Sequence, residues 1–510
     1  MKSHSEFIVS LRRFKKNDII NIGTKLLWES YKDQEVFKKK FPYVDIEIIN
    51  RFAPKIIILA LATANDFRSK ILKYNEFYTL CLEFINIKDP ISDKNFLVEE
   101  SKLIFNNLIS FNNKKKKIPS QYLDEKIIRK LEHIIFISRT ARQQLEGSEI
   151  QIEEFYITFD ILCQLNQNTN INFNDQFLKI FNLSPFFFLR SAFCLYAQAA
   201  TTNGKIIFNN YQQVDKKIKE KLHIDDESLK IVASNISYNE NHLREIWHKE
   251  LLSQDNFYQK FFPTPLNHSP IICMHTSKSN NYLIPSPRLY IRGVYNAIFS
   301  RLRKYNKILR SAIGNAIENH IFVILKKIFG NSNTYKISPS PNCRSADFRI
   351  DLQDYILIIE CKTALTDFVG MSIIAPNNIA EIWGSLYKAC TQCSETIKTL
   401  DTEKTIVPII LIADHIHVDT ISFEAYAHEV NLFRDEGINN ITFISWFKFL
   451  AELSNLSIEK FICRYNRIKN NPTTSSKVDP YIIQSSDEKS AHNYEFFNEI
   501  KEKFFNDFHL

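Results

Sequence analysis

Glycine is scarce in this chain, with nine residues in 510. Loops that wrap phosphate groups rely on glycine to let backbone N–H groups approach the anion. Neither a Walker A loop nor a Gly-x-Ser-x-Gly elbow occurs, so a P-loop ATPase and a serine hydrolase of that type gain no support. Long apolar runs are missing as well. The longest, near residues 56–64, is about half of the ~20 residues that a membrane span needs. The first ten residues lack the apolar core of a signal peptide. The nine cysteines are scattered and odd in number, as expected of reduced intracellular thiols rather than a disulfide framework. These absences together lead to an expectation of a cytoplasmic protein with no membrane partner.

What is present is bulk apolar side chain. Phenylalanine occurs 41 times, hydrophobic residues make up 45% and charged residues 24%, which suits a folded chain of long helices packed through large side chains. The length exceeds one ordinary core, so two or three domains are expected. The net charge of +8 is gathered in clusters: Arg12-Arg13-Phe14-Lys15-Lys16, residues 38–40, residues 114–117 and Arg301-Leu302-Arg303-Lys304. Basic patches attract polyanions by Coulomb steering and counterion release. Their ordinary alternative is a solvated helix face or loop. The 301–304 cluster stands closest to the chemistry described below and is the foremost nucleic-acid candidate of the four.

Periodicity divides the chain. Apolar residues recur at helical spacing through residues 1–260, which predicts a large all-α region with helices near 19–31, 55–74, 125–145, 187–201 and 242–252. Residues 261–310 read as a connector holding two short extended runs and a helix. Helix and strand then alternate from 311 to 470, which predicts a layered α/β domain with a central mixed sheet flanked by helices. Residues 471–510 read as a polar linker followed by an aromatic docking helix.

Chemistry concentrates in two adjoining strands, 346–352 and 355–362. A hairpin turning between Gln353 and Asp354 sets Asp347 opposite Glu360, with Cβ atoms about 5 Å apart on one face. Alternation brings Lys362 to that same face. The preceding Ile356-Leu357-Ile358-Ile359 reads as a strand buried on both sides. Charges at the rim of such a core are costly without partners. Two opposed carboxylates also repel each other unless a cation lies between them. A hard divalent ion, Mg2+ with Mn2+ as a substitute, answers that requirement. The alternative is an ion pair of Asp347 or Glu360 with Lys362 or Arg349.

Ser345-Ala346-Asp347 followed by Ile358-Ile359-Glu360-Cys361-Lys362 resembles the PD-(D/E)xK nuclease superfamily, and the element order over about 311–450 matches that family's core. Ala346 stands where the motif's proline would be. The resemblance implies a restriction-endonuclease-like α/β core and Mg2+-dependent hydrolysis of DNA phosphodiesters, with Asp347, Glu360 and Lys362 as the catalytic centre. It further implies Glu318, on the preceding helix, as a third acidic ligand, and Gln392, on the following helix, as an assistant. A long helical region ahead of such a core is similar to nuclease subunits of prokaryotic defence systems, with a regulatory or sensor subunit or a second copy as partners. An RNase on the same core and a non-catalytic nucleic-acid-binding scaffold are the alternatives.

Other signals are weaker. Asp351 shares a face with Asp347 but lies opposite Ile356, and Asp367 reads as a loop residue. Cys390 and Cys393 have CxxC spacing without a second pair, and they fall on an apolar helical stripe, so core packing is expected. His415 and His417, beside Asp414 and Asp419, read as a polar loop at a strand end.

Overall fold

The computed structural model describes residues 4–63, 70–86, 152–167, 171–206, 220, 222–246, 264–275, 280–338, 345–363, 376–413, 442–455, 460–462 and 497–506. These form two compact units. The first gathers described residues from 1–92, 146–313 and 499–510, and the second begins at Gly314. The helix expected over 125–145, the lysines at 114–117, Asp367, His415 and His417 lie outside the described residues.

The first unit opens with α1 (His4–Leu11), α2 (Lys16–Lys32), α3 (Gln34–Lys40), α4 (Ile46–Ala62) and α5 (Tyr74–Ile85). It continues with α6 (Glu153–Asn166), α7 (Phe173–Phe181), α8 (Pro185–Thr202), α9 (Asp226–Asn235), α10 (Glu240–Ile246) and α11 (Pro287–Tyr305). Side chains terminate several helices at their N-termini. Asp33 accepts from Glu35 and Val36 N–H to start α3, and Asp45 accepts from Glu47 and Ile48 N–H to start α4. Each such cap satisfies N–H groups that the helix itself cannot. The Asp45 cap also explains why the helix expected over 55–74 is found over Ile46–Ala62 instead, with Pro54 inside it.

Phenylalanine rings build the core of this unit. Phe177 packs on Phe181 and Phe188 with centroids 4.4 and 5.8 Å away. The helix expected near the C-terminus is present over Asn498–Asn506. Its Phe504 is fully buried against Tyr156, Phe159 and Phe193, and Arg190 Nε donates to the Phe504 carbonyl at 3.0 Å.

This region is not purely helical. Strands β1 (Lys205–Ile206), β2 (Ser237–Asn239), β3 (Ile271–His275) and β4 (Asn280–Leu283) form a sheet in the order β1-β4-β3-β2. Residues 264–305 are therefore part of the first unit and not a separate connector. β2 pairs in parallel with β3, while β1 and β3 are antiparallel to β4. Strands of two and three residues carry too few side chains for a period-2 pattern, and their partners are distant in sequence. Gly204 (φ +91°) makes the turn from α8 into β1. A Cβ there would sit 2.4 Å from the Ile284 carbonyl oxygen, and only glycine accommodates both demands.

No single helix among the described residues is long and apolar enough to cross a membrane. The bent pair α7–α8 passes on length and composition alone, and its Phe177, Phe181, Phe188 and Leu189 are buried.

The second unit holds most of α12 (Lys307–Phe329), then β5 (Thr334–Lys336), β6 (Phe348–Asp351), β7 (Tyr355–Lys362), α13 (Pro376–Lys398), β8 (Thr405–Ile412), β9 (Thr442–Ser445) and α14 (Trp446–Asn455). The five strands lie in the order β5-β6-β7-β8-β9. β5, β6 and β7 run antiparallel, whereas β7, β8 and β9 run parallel. The sheet is thus mixed, as the alternation of elements leads one to expect. Central β7 is buried from Ile356 to Cys361, because neighbours on both edges and helices on its faces leave no route for water. From α12, Phe322 stacks on Phe348 with centroids 5.3 Å apart. α13 packs on β7 and β8, and it covers the face that carries Glu360 and Lys362.

Candidate active site

β6 and β7 pair Phe348 with Ile359 and Asp351 with Ile356, the register in which Leu352 meets Tyr355 across the turn. Asp347 lies one residue before the first paired position. Its N–H donates to the Ile359 carbonyl at 3.0 Å, and its Oδ2 accepts the Cys361 N–H at 2.7 Å. The aspartate therefore grips the backbone on either side of Glu360. Glu360 in turn forms an ion pair with Lys362, whose side chain is 17% exposed against 2% for Glu360.

Burial sets the electrostatics. Desolvation pushes the Asp347 carboxyl above the usual range, partly offset by the Cys361 N–H, and the Glu318 charge pushes it further up. Glu360 is raised from 4.5 to about 8, first by desolvation and then by the Asp347 charge, against the lowering pull of Lys362. Glu360 Oε2 is buried and meets no donor outside the carboxyl pair it forms with Asp347. A buried acceptor left unmade costs about 1–3 kcal/mol, more if charged. The protein holds that cost at the end of its best-buried strand.

Two side chains of α13 reach the site. Gln392 Oε1 accepts from Lys362 Nζ at 3.1 Å, and its Nε2 donates to the Ser345 carbonyl at 3.0 Å. One turn later, Thr396 Oγ1 accepts the Ala346 N–H at 2.8 Å and donates to the Gln392 carbonyl at 2.9 Å. This helix therefore ties the lysine of β7 to the backbone immediately before Asp347. Neither Thr396 nor Ser345 stands out in the sequence. Thr396 could have been found from its position four residues after Gln392, on the same helix face.

Of the expected residues, the fold brings together Asp347, Glu360, Lys362 and Gln392. Glu318 is close enough for its charge to act on Asp347, but its carboxylate is bound to Lys336 Nζ of edge strand β5 at 2.6 Å. That cation had no role in the sequence reading, and its ion pair occupies the Glu318 carboxylate. Asp351 pairs with Arg349 at 2.8 Å. Cys390 and Cys393 are fully buried in the core, and burial pushes the Cys393 thiol up.

Among the described residues, no group of three or more His, Cys, Asp or Glu side chains is arranged to hold a metal ion. The carboxylates offered are two. A two-carboxylate set suits Mg2+, which is commonly held by one or two carboxylates and keeps several of its waters. The Oε2 of Glu360 is an acceptor that such an ion would satisfy. No family model, no curated protein and no solved structure matches this chain.

Proposed function

We propose that the second unit is a divalent-metal-dependent nuclease of the PD-(D/E)xK type, with a restriction-endonuclease-like core, that hydrolyses DNA phosphodiester bonds. The observation that carries this reading is the Asp347–Glu360 pair. A buried and a half-buried carboxylate adjoin, both are shifted toward the neutral acid, and one Glu360 oxygen meets no donor outside the pair. A site built only for stability gains nothing from this arrangement, because hydrophobic replacements would be cheaper. Asp347 and Glu360 would hold the ion, which would polarise a phosphate and lower the pKa of a bound water. Lys362, steadied by Gln392, is placed to orient the attacking water or the phosphate. Release of Glu360 from its ion pair frees the ammonium for that task. By analogy of layout alone, the chain would serve as the nuclease effector of a prokaryotic defence system, with a regulatory or sensor partner.

One observation favours a second reading, a scaffold that keeps the fold without catalysis. Lys362 pairs with Glu360, and an ion pair can be the end of the matter. Incubation of plasmid and RNA substrates with Mg2+ or Mn2+ separates the readings. Metal-dependent cutting that disappears with Glu360→Gln and with Lys362→Ala supports the nuclease. Cleavage that both variants retain removes the site from the chemistry. Cutting of RNA alone moves the activity to an RNase.

A further inference from the structure

In the 301–304 cluster Arg301 is half-buried and engaged within the first unit, whereas Lys304 is exposed. Arg301 donates to the Oδ1 of Asn235 at 3.2 Å and to the carbonyl of the same residue, and its guanidinium lies 5.6 Å from the centroid of the Phe181 ring. Burial accordingly lowers its proton affinity. Arg301 braces the core of the first unit. Other basic residues of that unit face solvent in three segments well separated in sequence.

Those segments meet. Phe14 and Lys70 form a parallel bridge, and Lys15 N–H donates to the Lys70 carbonyl at 3.0 Å. This sets Arg13 and Lys15 beside the extended stretch that leads through Lys73 to Tyr74. The Tyr74 ring then packs on Phe41 with centroids 5.1 Å apart, which brings in the last turn of α3 with Lys38, Lys39 and Lys40. At about 3.3 Å per extended residue, Lys70 and Lys73 stand about 10 Å apart, a distance over which one strand of a duplex carries about three phosphates.

Several acids on this ridge are already committed, while Glu35 and Glu47 are exposed in the first turns of α3 and α4. Asp18 accepts the Leu72 N–H, Glu29 pairs with Lys40 at 2.9 Å, and Glu76 pairs with Lys70 at 2.8 Å while accepting the Lys73 N–H. Asp33 and Asp45 serve as helix caps. Arg13, Lys15, Lys38, Lys39 and Lys73 are exposed and have no ion-pair partner among the described residues. Tyr43, which follows α3, is 54% exposed and offers a ring face beside these cations.

We propose that this ridge binds the phosphate backbone of nucleic acid, so that the first unit holds the polymer on which the second acts. The proposal rests on the nuclease reading for its choice of polyanion. An anionic membrane is the less fitting partner. The exposed aliphatic side chains on these segments are Val9, Val36 and Ile71, far fewer than the continuous apolar face with which an amphipathic helix lies in a bilayer. Aligned cations with an interleaved aromatic ring are what single strands and duplexes engage without regard to sequence.

Fluorescence anisotropy of the full chain with a labelled duplex and a labelled single strand, in EDTA, tests this without any cleavage. Replacing Lys38, Lys39 and Lys73 together by glutamine should weaken binding at least tenfold at about 50 mM salt, and should lower the slope of log affinity against log salt by about three. Replacing exposed Lys179, Lys205 and Lys230 by glutamine removes the same charge elsewhere on the unit and should leave both quantities nearly unchanged. Equal loss in the two triples means diffuse charge, and it overturns the proposal, as does the absence of binding. Ridge-dependent capture by phosphatidylserine vesicles, with no binding of nucleic acid, overturns it in favour of a membrane. Intact ridge-dependent binding in a protein that never cuts would sink the nuclease reading and leave this surface standing.

Discussion

Replacing Glu360 by glutamine should make the metal-free protein more stable, relative to the unaltered chain, as the pH rises. The folded carboxyl titrates near 8 against 4.5 for the free group. Below pH 4.5 both folded and unfolded chains carry the proton, and the site costs nothing. Between 4.5 and 8 the unfolded chain releases its proton while the folded one keeps it, so stability falls. Above 8 the penalty levels off, with a ceiling of about 5 kcal/mol at about 1.4 kcal/mol per tenfold change in proton affinity. Water entering the site and loss of the Lys362 partner both reduce the gain, so about 2 kcal/mol is expected between pH 5 and pH 9. Asp347, raised in the same direction, gives a parallel dependence that the variant keeps. The assay is urea unfolding in EDTA at pH 5, 7 and 9, read as the difference between variant and unaltered chain. Adding Mg2+ at neutral pH should reverse the order, because an ion present at about a hundred times its Kd adds about 2.7 kcal/mol to the protein that binds it. A difference that stays flat from pH 5 to 9 would refute the placement of a buried carboxyl at this position.

Lys362→Ala should lower the rate of cleavage by about a hundredfold or more while leaving Mn2+ binding in place, as single-turnover kinetics and metal titration would register separately. Thr396→Val leaves the Ala346 N–H without its acceptor. It should cost about 1–3 kcal/mol in urea unfolding and weaken metal binding, whereas Thr396→Ser restores both. Phe504→Ala, which removes a fully buried ring held among Tyr156, Phe159 and Phe193, should destabilise the first unit by about 3–5 kcal/mol in the same assay. An effect under 1 kcal/mol would mean that the C-terminal helix is not part of that core.

The second unit was the more legible half. Its strands carry enough residues to state their period, and the run Ile356–Ile359 ending in Glu360-Cys361-Lys362 fixes both burial and register. A two-residue turn leaves the pairing little freedom, so Asp347 could be set beside Glu360 on paper. Gln392 was legible by helix position. Lys336 was not, because its role depends on β5 pairing with β6 and on α12 presenting Glu318 to that edge. In the first unit, β1 and β2 escaped notice because their partners lie about 80 and 34 residues away and each strand is too short to alternate. Charge runs misled for a related reason. Arg301 looks like its neighbours in sequence, and only the nearness of Asn235 and Phe181 assigns it to an internal brace. Adjacency across the chain is a property of packing, and composition does not encode it locally.

Titration of the full chain with Mn2+, followed by the loss of the free-ion electron paramagnetic resonance signal, bears most directly on the carboxylate pair. Saturable binding by the unaltered protein, competed by Mg2+ and lost in both Asp347→Asn and Glu360→Gln, is the expected result. Binding that neither substitution weakens, or no binding at any accessible concentration with substrate DNA present, would contradict a metal centre between these two strands.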